Sequence, residues 1–434
     1  MAFSDINYLY SIYLQHPSIQ TDSRKIKQGD FFFALKGPNF NGNAYAAQAI
    51  KDGAAYAVID EPAFAAGEQF ILVEDVLTTL QQLAKHHRLQ KNIPFIAITG
   101  SNGKTTTKEL ITKVLSQKFV TYATEGNLNN HIGVPLTLLK IGSDAEMAVV
   151  EMGANHQREI AGYCEIALPD FGLITNCGKA HLEGFGGIEG VKKGKGELYD
   201  HLRAHSGTIF RFSDFDYLET MAAGIAEQIT YGTANAQIIG RAIDAEMFLN
   251  VAILTSGLEC TIKTQLVGDF NLPNVLAAVA IGHYFGIEIE QIKHAIETYA
   301  PSNSRSQLMQ IGSNSIILDA YNANPASMKL AVENMAGIKG DNKWLLLGAM
   351  KEMGSAQQEE HQALANLVAA AGFKQVILVG KEFQEVQHSF TWFENSQQAK
   401  EYLQQHLPQN ATILIKGSRG SRMEVASEAF QAKE

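Results

Sequence analysis

A chain of 434 residues is longer than one hydrophobic core usually supports, and at ~150 residues per domain it suggests about three domains. Its 46% hydrophobic and 18% charged content is that of a globular protein, and a net charge of −10 without any basic run argues against a nucleic-acid partner. Three scattered cysteines form no C-x-x-C, no apolar run reaches membrane-spanning length, and the start MAFSDINYLY lacks a basic leader region, so a cytoplasmic protein without a membrane span is expected.

Residues 1–92 alternate short strands and helices. GDFFFAL and YAVID read as strands, NAYAAQAIKDG as a helix closed by Gly53, and VLTTLQQLAKHHRLQ as a helix running to Asn92 and Pro94, where the first boundary falls. Residues 93–298 carry the apolar strands PFIAIT, MAVVEM, FGLITN and TIFRF with helical patterns between them, the signature of a mostly parallel sheet covered by helices. After Tyr231 the pattern alternates and is broken by glycine, which reads as antiparallel strands at that sheet's edge; NVLAAVAIGHYFGI then returns to helix. Residues 299–434 alternate SIILDAY, KWLLLGA, QVILVG and ATILIKG with helices, a second doubly wound sheet. The expected fold class is α/β in three domains: a small N-terminal α/β domain, a central P-loop domain and a C-terminal Rossmann-like domain.

The stretch FIAITGSNGKTTTKELI, residues 95–111, resembles a phosphate-binding loop yet fails G-x-x-x-x-G-K-[ST], because Ile98 stands where the first glycine belongs. Its context is nonetheless that of a cradle: a buried strand, a turn of Gly100, Ser101, Asn102 and Gly103, and a helix with Leu110, Ile111, Val114 and Leu115 at helical spacing. In that arrangement backbone N–H groups face the phosphates, Lys104 supplies a positive charge, and the hydroxyls of Thr105 and Thr106 follow, Thr105 suited to Mg²⁺. The bland alternative is a surface turn with an exposed lysine.

Three more residues draw notice. MAVVEMGAN sets Glu151 at the C-terminal end of an apolar strand, the sheet edge where ligands bind, suited to Mg²⁺ or simply to water. FGLITNCGKAHLEGFGG places His181 in the loop after the next strand, a metal ligand or an ordinary surface histidine. In the helical segment IEGVKKGKGELYDHL the apolar stripe is Ile188, Val191, Leu198 and Leu202, and Lys195 falls on it while Lys192 and Lys193 fall off. Gly190, Gly194 and Gly196 each cost a helix about 1 kcal/mol against alanine, which hints at close packing or the approach of a ligand.

The pattern T-G-x-x-G-K-T-[ST] after a strand resembles the Mur ligase family, ATP-dependent amide-bond synthetases related to the folylpolyglutamate synthetases. The run A-H-L-E-x-x-G-x-x-E-G-x-x-x-x-K-G-E is similar to the branch that adds D-alanyl-D-alanine to a UDP-N-acetylmuramoyl-tripeptide. The resemblance implies that Lys195 is carbamylated by CO₂, that one Mg²⁺ sits on Thr105, Glu151 and the ATP phosphates, and that a second sits on Glu151, His181 and modified Lys195. TDSRKIKQGDFFFALKG resembles a uridine-nucleotide-binding segment, which makes Ser23 and Arg24 anchors for the UDP-sugar, although TDSR also reads as a capped turn. GNLNNHIGVPLTLL resembles a family segment in which Asn127, Asn129 and Asn130 hold the muramoyl peptide. GDFNLPNVLAA brings Asn271 and Asn274 near adenine, or, by spacing alone, to a helix N-cap. SNSRSQ and LDAYNANPASM supply Arg305 for the γ-phosphate, Asp319 for the ribose, and Tyr321, Asn322 and Asn324. LIKGSRGSRME sets Ser418 and Arg419 toward a substrate carboxylate, and Ala349 stands where relatives carry Asp, so that loop is given no catalytic role.

The implied catalytic set is Lys104, Glu151, His181, Lys195 and Arg305, in a monomer acting on small molecules. The competing readings are a family member that adds one amino acid, a P-loop ATPase or kinase, and a silent nucleotide-binding scaffold. No base for the incoming ammonium stands out among the 13 histidines.

Overall fold

The computed structural model describes residues 5–243, 247–302 and 304–431. Its strands form three larger sheets and one two-stranded ribbon, Lys36–Gly37 with Phe40–Asn41. The first sheet holds Ile19–Gln20, Phe31–Phe33, Tyr56–Ile59 and Phe70–Leu72 in chain order, all parallel. Its side chains alternate: Phe32, Ala57 and Ile59 pack under the short helix Ala46–Lys51, and Phe31, Phe33 and Val58 face the helices Ile6–Gln15 and Val76–Leu89.

Those two helices do not close off a separate core. Leu9, Ile12, Leu80 and Leu83 belong to one apolar cluster with Val134, Leu138 and Ile160 beyond Pro94. Polar ties run the same way. Tyr13 Oη donates to the Leu139 carbonyl at 2.6 Å, and His87 Nε2 meets the Ile141 carbonyl at 2.9 Å. Arg88 donates to the carbonyls of Ala167 and Leu168 at 2.9 and 2.8 Å, reaches Asp170 at 3.1 Å, and lies 3.8 Å over the Phe95 ring.

The middle sheet has nine strands in the order Cys260–Val267, Phe248–Ile253, Ile238–Ile243, Glu227–Gly232, Thr208–Phe212, Phe171–Ile174, Phe95–Thr99, Met147–Glu151, Thr121–Ala123. All neighbours are parallel except the pairs made by Phe248–Ile253, so the antiparallel edge expected after Tyr231 is present; residues 244–246 of that segment lie outside the described residues. The chain leaves Phe95–Thr99 to build strands on one side and returns to place Phe171–Ile174 on the other. That reversal opens a crevice at the C-terminal strand ends, where an α/β sheet binds its ligand.

The third sheet runs Gln307–Ile311, Asn314–Asp319, Thr412–Lys416, Lys343–Gly348, Gln375–Val379, Thr391–Phe393, parallel after its first antiparallel pair. Leu345, Leu347 and Leu378 pack on one face with the helices Pro325–Gly337 and Gln357–Ala370. Leu346, Ile377 and Ile413 pack on the other with Ser396–Gln405 and Met423–Ser427, which makes the sheet doubly wound as expected. Among the described residues no helix is long and apolar enough to cross a membrane.

Because Arg88 joins the two first units through buried carbonyls, its loss should be felt by both. Arg88→Ala is expected to cost ~2–4 kcal/mol of stability, since four acceptors, the carbonyls of Lys91, Ala167 and Leu168 and the Asp170 carboxylate, lose a charged donor at once; urea unfolding measures this, and a change under ~0.5 kcal/mol would mean the units are not coupled there.

Candidate active site

The strand Phe95–Thr99 is buried at every position and delivers the chain to the sheet edge. Gly100 (φ +146°) and Gly103 (φ +80°) turn it there. A Cβ on Gly100 would lie 2.0 Å from Thr175 Oγ1, and one on Gly103 2.8 Å from Asn274 Oδ1, so both conformation and space demand glycine. The helix Lys104–Leu115 begins at once with no side-chain cap, leaving its first-turn N–H groups and the positive end of its dipole toward the turn. Lys104 Nζ donates to the carbonyls of Gly100 at 2.7 Å and Ser101 at 3.3 Å. Desolvation holds its ammonium below the ordinary lysine range, against the pull of Glu151.

Glu151 is 1% exposed at the end of Met147–Glu151. Thr105 Oγ1 donates to its Oε2 at 2.9 Å and Asn129 Nδ2 to its Oε1 at 2.7 Å. Around this pair opens a cavity of about 1020 Å³. Ser101, Asn102, Gly103, Lys104, Thr105 and Thr106 line its floor, with Asn127, Asn129, Asn130 and His181 beside them and Asn271 and Asn274 at the start of Leu272–Tyr284. Arg305, Asp319, Tyr321, Asn322, Asn324, Ser418 and Arg419 enter from the third sheet. The structure thus gathers most of the expected residues from positions far apart in the chain; Gly100 shapes the turn from beneath.

Several serve as scaffold as well. Asn130 Oδ1 accepts from the N–H groups of Ile132 and Gly133 at the start of Gly133–Leu139. Asn271 makes no side-chain cap, contrary to the capping alternative: it donates to the Val267 carbonyl at 3.0 Å and accepts from Asn274, which in turn accepts from Thr107. Asn324 does cap a helix, Pro325–Gly337, in a reciprocal box with Ser327, and its Nδ2 also donates to Asn102 Oδ1 of the turn at 2.7 Å. Ser418 donates to the Ala349 carbonyl at 2.6 Å. The Arg305 guanidinium lies 3.7 Å over the Tyr321 ring, with Arg419 at 6.0 Å from the same ring.

Two expected ligands are bonded to groups other than Glu151. His181, left-handed at φ +52°, pairs through Nδ1 with Glu352, in the loop after the strand Lys343–Gly348 of the third sheet and itself left-handed at φ +62°. Burial lowers its pKa while Glu352 raises it. Lys195 is inward, as the stripe requires, and 1% exposed, but its Nζ donates to the Ala154 carbonyl at 3.1 Å behind the cavity wall. Burial and then the charge of Lys104 push its pKa down to about 7. The stripe itself starts later than expected, because Ile188 is 37% exposed. Gly190 and Gly194 have no room for a Cβ against Phe185, whereas Gly196 meets only Met221 Cε at 3.4 Å. Among the described residues no three His, Cys, Asp or Glu side chains cluster as a metal site. A cation at Thr105 and Glu151 would therefore complete its shell with water and phosphate oxygens, which suits a hard ion such as Mg²⁺.

Ser23 and Arg24 lie outside this cavity, in the turn Ser23–Lys25. There the capped-turn reading of TDSR is realised: Asp22 accepts from the Arg24 backbone N–H and from its Nε and Nη2, which holds the Asp22 carboxyl at about 2. Among the lining residues that escaped the sequence are Lys416 and Glu352. The only signal for Lys416 was a lysine ending the otherwise apolar ATILIKG; Glu352, in a loop, gave none.

Family models match in three segments: "Mur ligase family, catalytic domain" over residues 17–88, "Mur ligase middle domain" over 98–282 and "Mur ligase, glutamate ligase domain" over 304–419. The chain is 34% identical over 419 residues to the UDP-N-acetylmuramoyl-tripeptide–D-alanyl-D-alanine ligase of Bacillus subtilis, covering 94% of this chain and 91% of that one. The Escherichia coli ligase of the same name is 34% identical over 430 residues, covering 95% and 93%. A crystal structure of MurF from Acinetobacter baumannii superposes with a TM-score of 0.87 at 30% identity, covering 96% of this chain and 93% of that one. MurF from Thermotoga maritima, in complex with ADP, shares the fold with a TM-score of 0.87 at 24% identity, covering 96% and 97%.

The tight turn gives a direct test. Strain at a left-handed non-glycine residue costs about 1–3 kcal/mol, so Gly100→Ala is expected to weaken ADP binding ~10- to 100-fold in calorimetry. Unchanged affinity would show that this turn does not cradle phosphate.

Proposed function

The chain belongs to the Mur ligase family, and we propose that it joins D-alanyl-D-alanine to a UDP-N-acetylmuramoyl-tripeptide, cleaving ATP to ADP and phosphate through an acyl phosphate. What carries this reading is one cavity in which the phosphate turn and Glu151 of the middle sheet face Arg305, Asp319 and Tyr321 of the third. Residues 1–92 hold the UDP-sugar, with Ser23 and Arg24 as anchors; residues 93–298 hold ATP; residues 299–434 close over it and bring the dipeptide. The enzyme is monomeric and cytoplasmic and acts on small molecules.

The chemistry assigns each group a task. A carboxylate is a poor electrophile and repels ATP. The N–H groups of the turn, Lys104 and Arg305 draw off phosphate charge, so that a carboxylate oxygen of the tripeptide attacks the γ-phosphorus as its bond to the ADP oxygen breaks. Asn127, Asn129 and Asn130 orient the peptide, and Ser418 and Arg419 the carboxylate of the dipeptide. The dipeptide amine, once it has lost a proton, attacks the acyl carbon and phosphate leaves with its oxygen. Holding the amine in line contributes up to ~7–11 kcal/mol as effective concentration, and walls from two domains keep water from the acyl phosphate.

Magnesium, when bound, would screen the phosphates and polarise the γ-phosphoryl group, and Thr105 and Glu151 are the residues suited to hold it. A second ion on Glu151, His181 and a CO₂-modified Lys195 is the finest part of the proposal and rests on the family resemblance. A buried amine with a pKa about 7 is substantially uncharged at neutral pH, as reaction with CO₂ requires. His181 would have to exchange Glu352 for the ion.

Two measurements test the reading. Phosphate release is expected only when nucleotide-sugar peptide and D-alanyl-D-alanine are both present; turnover without the amine would favour an ATPase, a stable phosphorylated product a kinase, and equal use of a single amino acid another branch of the family. Lys195→Ala is expected to lose ~100-fold or more in kcat and to regain part of it with added formate or acetate. Full activity in that variant would remove the carbamate from the proposal.

A further inference from the structure

The strand Thr412–Lys416 is apolar from Ile413 to Ile415, and its last residue, Lys416, is 2% exposed where the strand meets the cavity. Parallel register sets it directly beside Asp319 on Asn314–Asp319. Its Nζ donates to Asp319 Oδ2 at 2.6 Å and to the Asn322 carbonyl at 3.3 Å. The other oxygen of Asp319 accepts from the Ser306 backbone N–H at 3.1 Å, and the Tyr321 N–H donates to the Ser304 carbonyl at 3.2 Å. Ser304 and Ser306 flank Arg305, and both are left-handed, at φ +56° and +49°. Non-glycine residues keep that conformation only where their surroundings impose it. The loop that follows Asp319 ends at Asn324, bonded to Asn102 of the phosphate turn.

One ammonium therefore fastens two loops. Through Asp319 it holds the segment that carries Arg305. Through the Asn322 carbonyl it holds the segment that carries Tyr321, on whose ring Arg305 rests, and Asn324. An apolar side chain would fill the end of this strand at no desolvation cost, and buried ion pairs often contribute little net stability, so stability alone does not explain a lysine here.

We propose that Lys416 is a positioning residue for phosphoryl transfer, setting Arg305 toward the γ-phosphate by clamping Asp319 and the Asn322 carbonyl. This deepens the reading of the site given above and rests on it for the role of Arg305.

The test is a double-mutant cycle on the full-length protein with Lys416→Met, Arg305→Ala and the two combined. It reads kcat and KM for ATP in the paired-substrate phosphate assay, Kd for a non-hydrolysable ATP analogue, and melting temperature. Lys416→Met is expected to lower kcat roughly 10- to 100-fold, the scale set by a small misplacement of a reacting group. The combined variant is expected to be no worse than Arg305→Ala, because a clamp has nothing to position once Arg305 is gone. Wild-type kcat in Lys416→Met, or effects that multiply, would overturn the proposal, whatever the melting temperature does. Lys416→Gln, which keeps a donor for Asp319, carries the cycle if Lys416→Met does not fold. Should the wild-type protein release no phosphate with both substrates present, the ligase reading falls; the cycle is then read on analogue affinity, where non-additivity supports the clamp and additivity overturns it.

Discussion

A carboxylate that is 1% exposed survives in a folded protein only if donors replace its water, and the site is organised by how Glu151 meets that demand. Its two oxygens take Thr105 from the phosphate-turn helix and Asn129 from the asparagine-rich loop. Its own N–H reaches Thr124 Oγ1 at 2.9 Å, so a fourth piece of chain is fixed by the same residue. Three elements that would bind nucleotide, ion and peptide are thereby locked to one strand end. The negative charge there also counters the desolvation that lowers the Lys104 pKa, which favours a positive charge in the turn. A turn of this shape elsewhere on the sheet would have glycine and lysine but no acid to set them.

What sequence can convey about this arrangement is local. Lys195 was legible as inward because helical spacing put it on a stripe with Val191, Leu198 and Leu202, and all four are buried. Ile188 was misread because the stripe says nothing about where neighbouring chain stops covering it; the loop before this helix leaves its first turn open. The glycine-rich turn was legible although its pattern was short, since strand, turn and helix are contiguous in the chain. Lys416 was not, because its partner Asp319 lies 97 residues away and meets it only through the order in which strands enter the third sheet. His181 read as a ligand and is found paired with Glu352, 171 residues on, for the same reason. The boundary expected at Pro94 rests on composition, and the core shared by Leu80, Leu83 and Leu138 runs across it on helix faces whose apolar residues give no address for the surface they cover.

The contacts between the middle and third units divide by strength in a way that fits a site which must both admit and enclose. At the rim they are polar and exchangeable. Lys179, its side chain 57% exposed, meets the mostly buried carboxylate of Glu360 at 2.6 Å. His181 with Glu352 is a second such contact, made between two left-handed residues that a different partner could relax. Beneath the rim, Val267 of the middle sheet is buried within the apolar cluster of the third, next to the Gly268 turn that leads to Asn271. For the closure proposed above, a hydrophobic contact at the base with exchangeable ion pairs above it would let the third unit tilt without losing its seat. Opening would break pairs that water can replace, and closing over ATP would trade them for phosphate and metal contacts of higher charge. The energy that shuts the site would then come from the substrates, so that water is excluded when there is an acyl phosphate to protect.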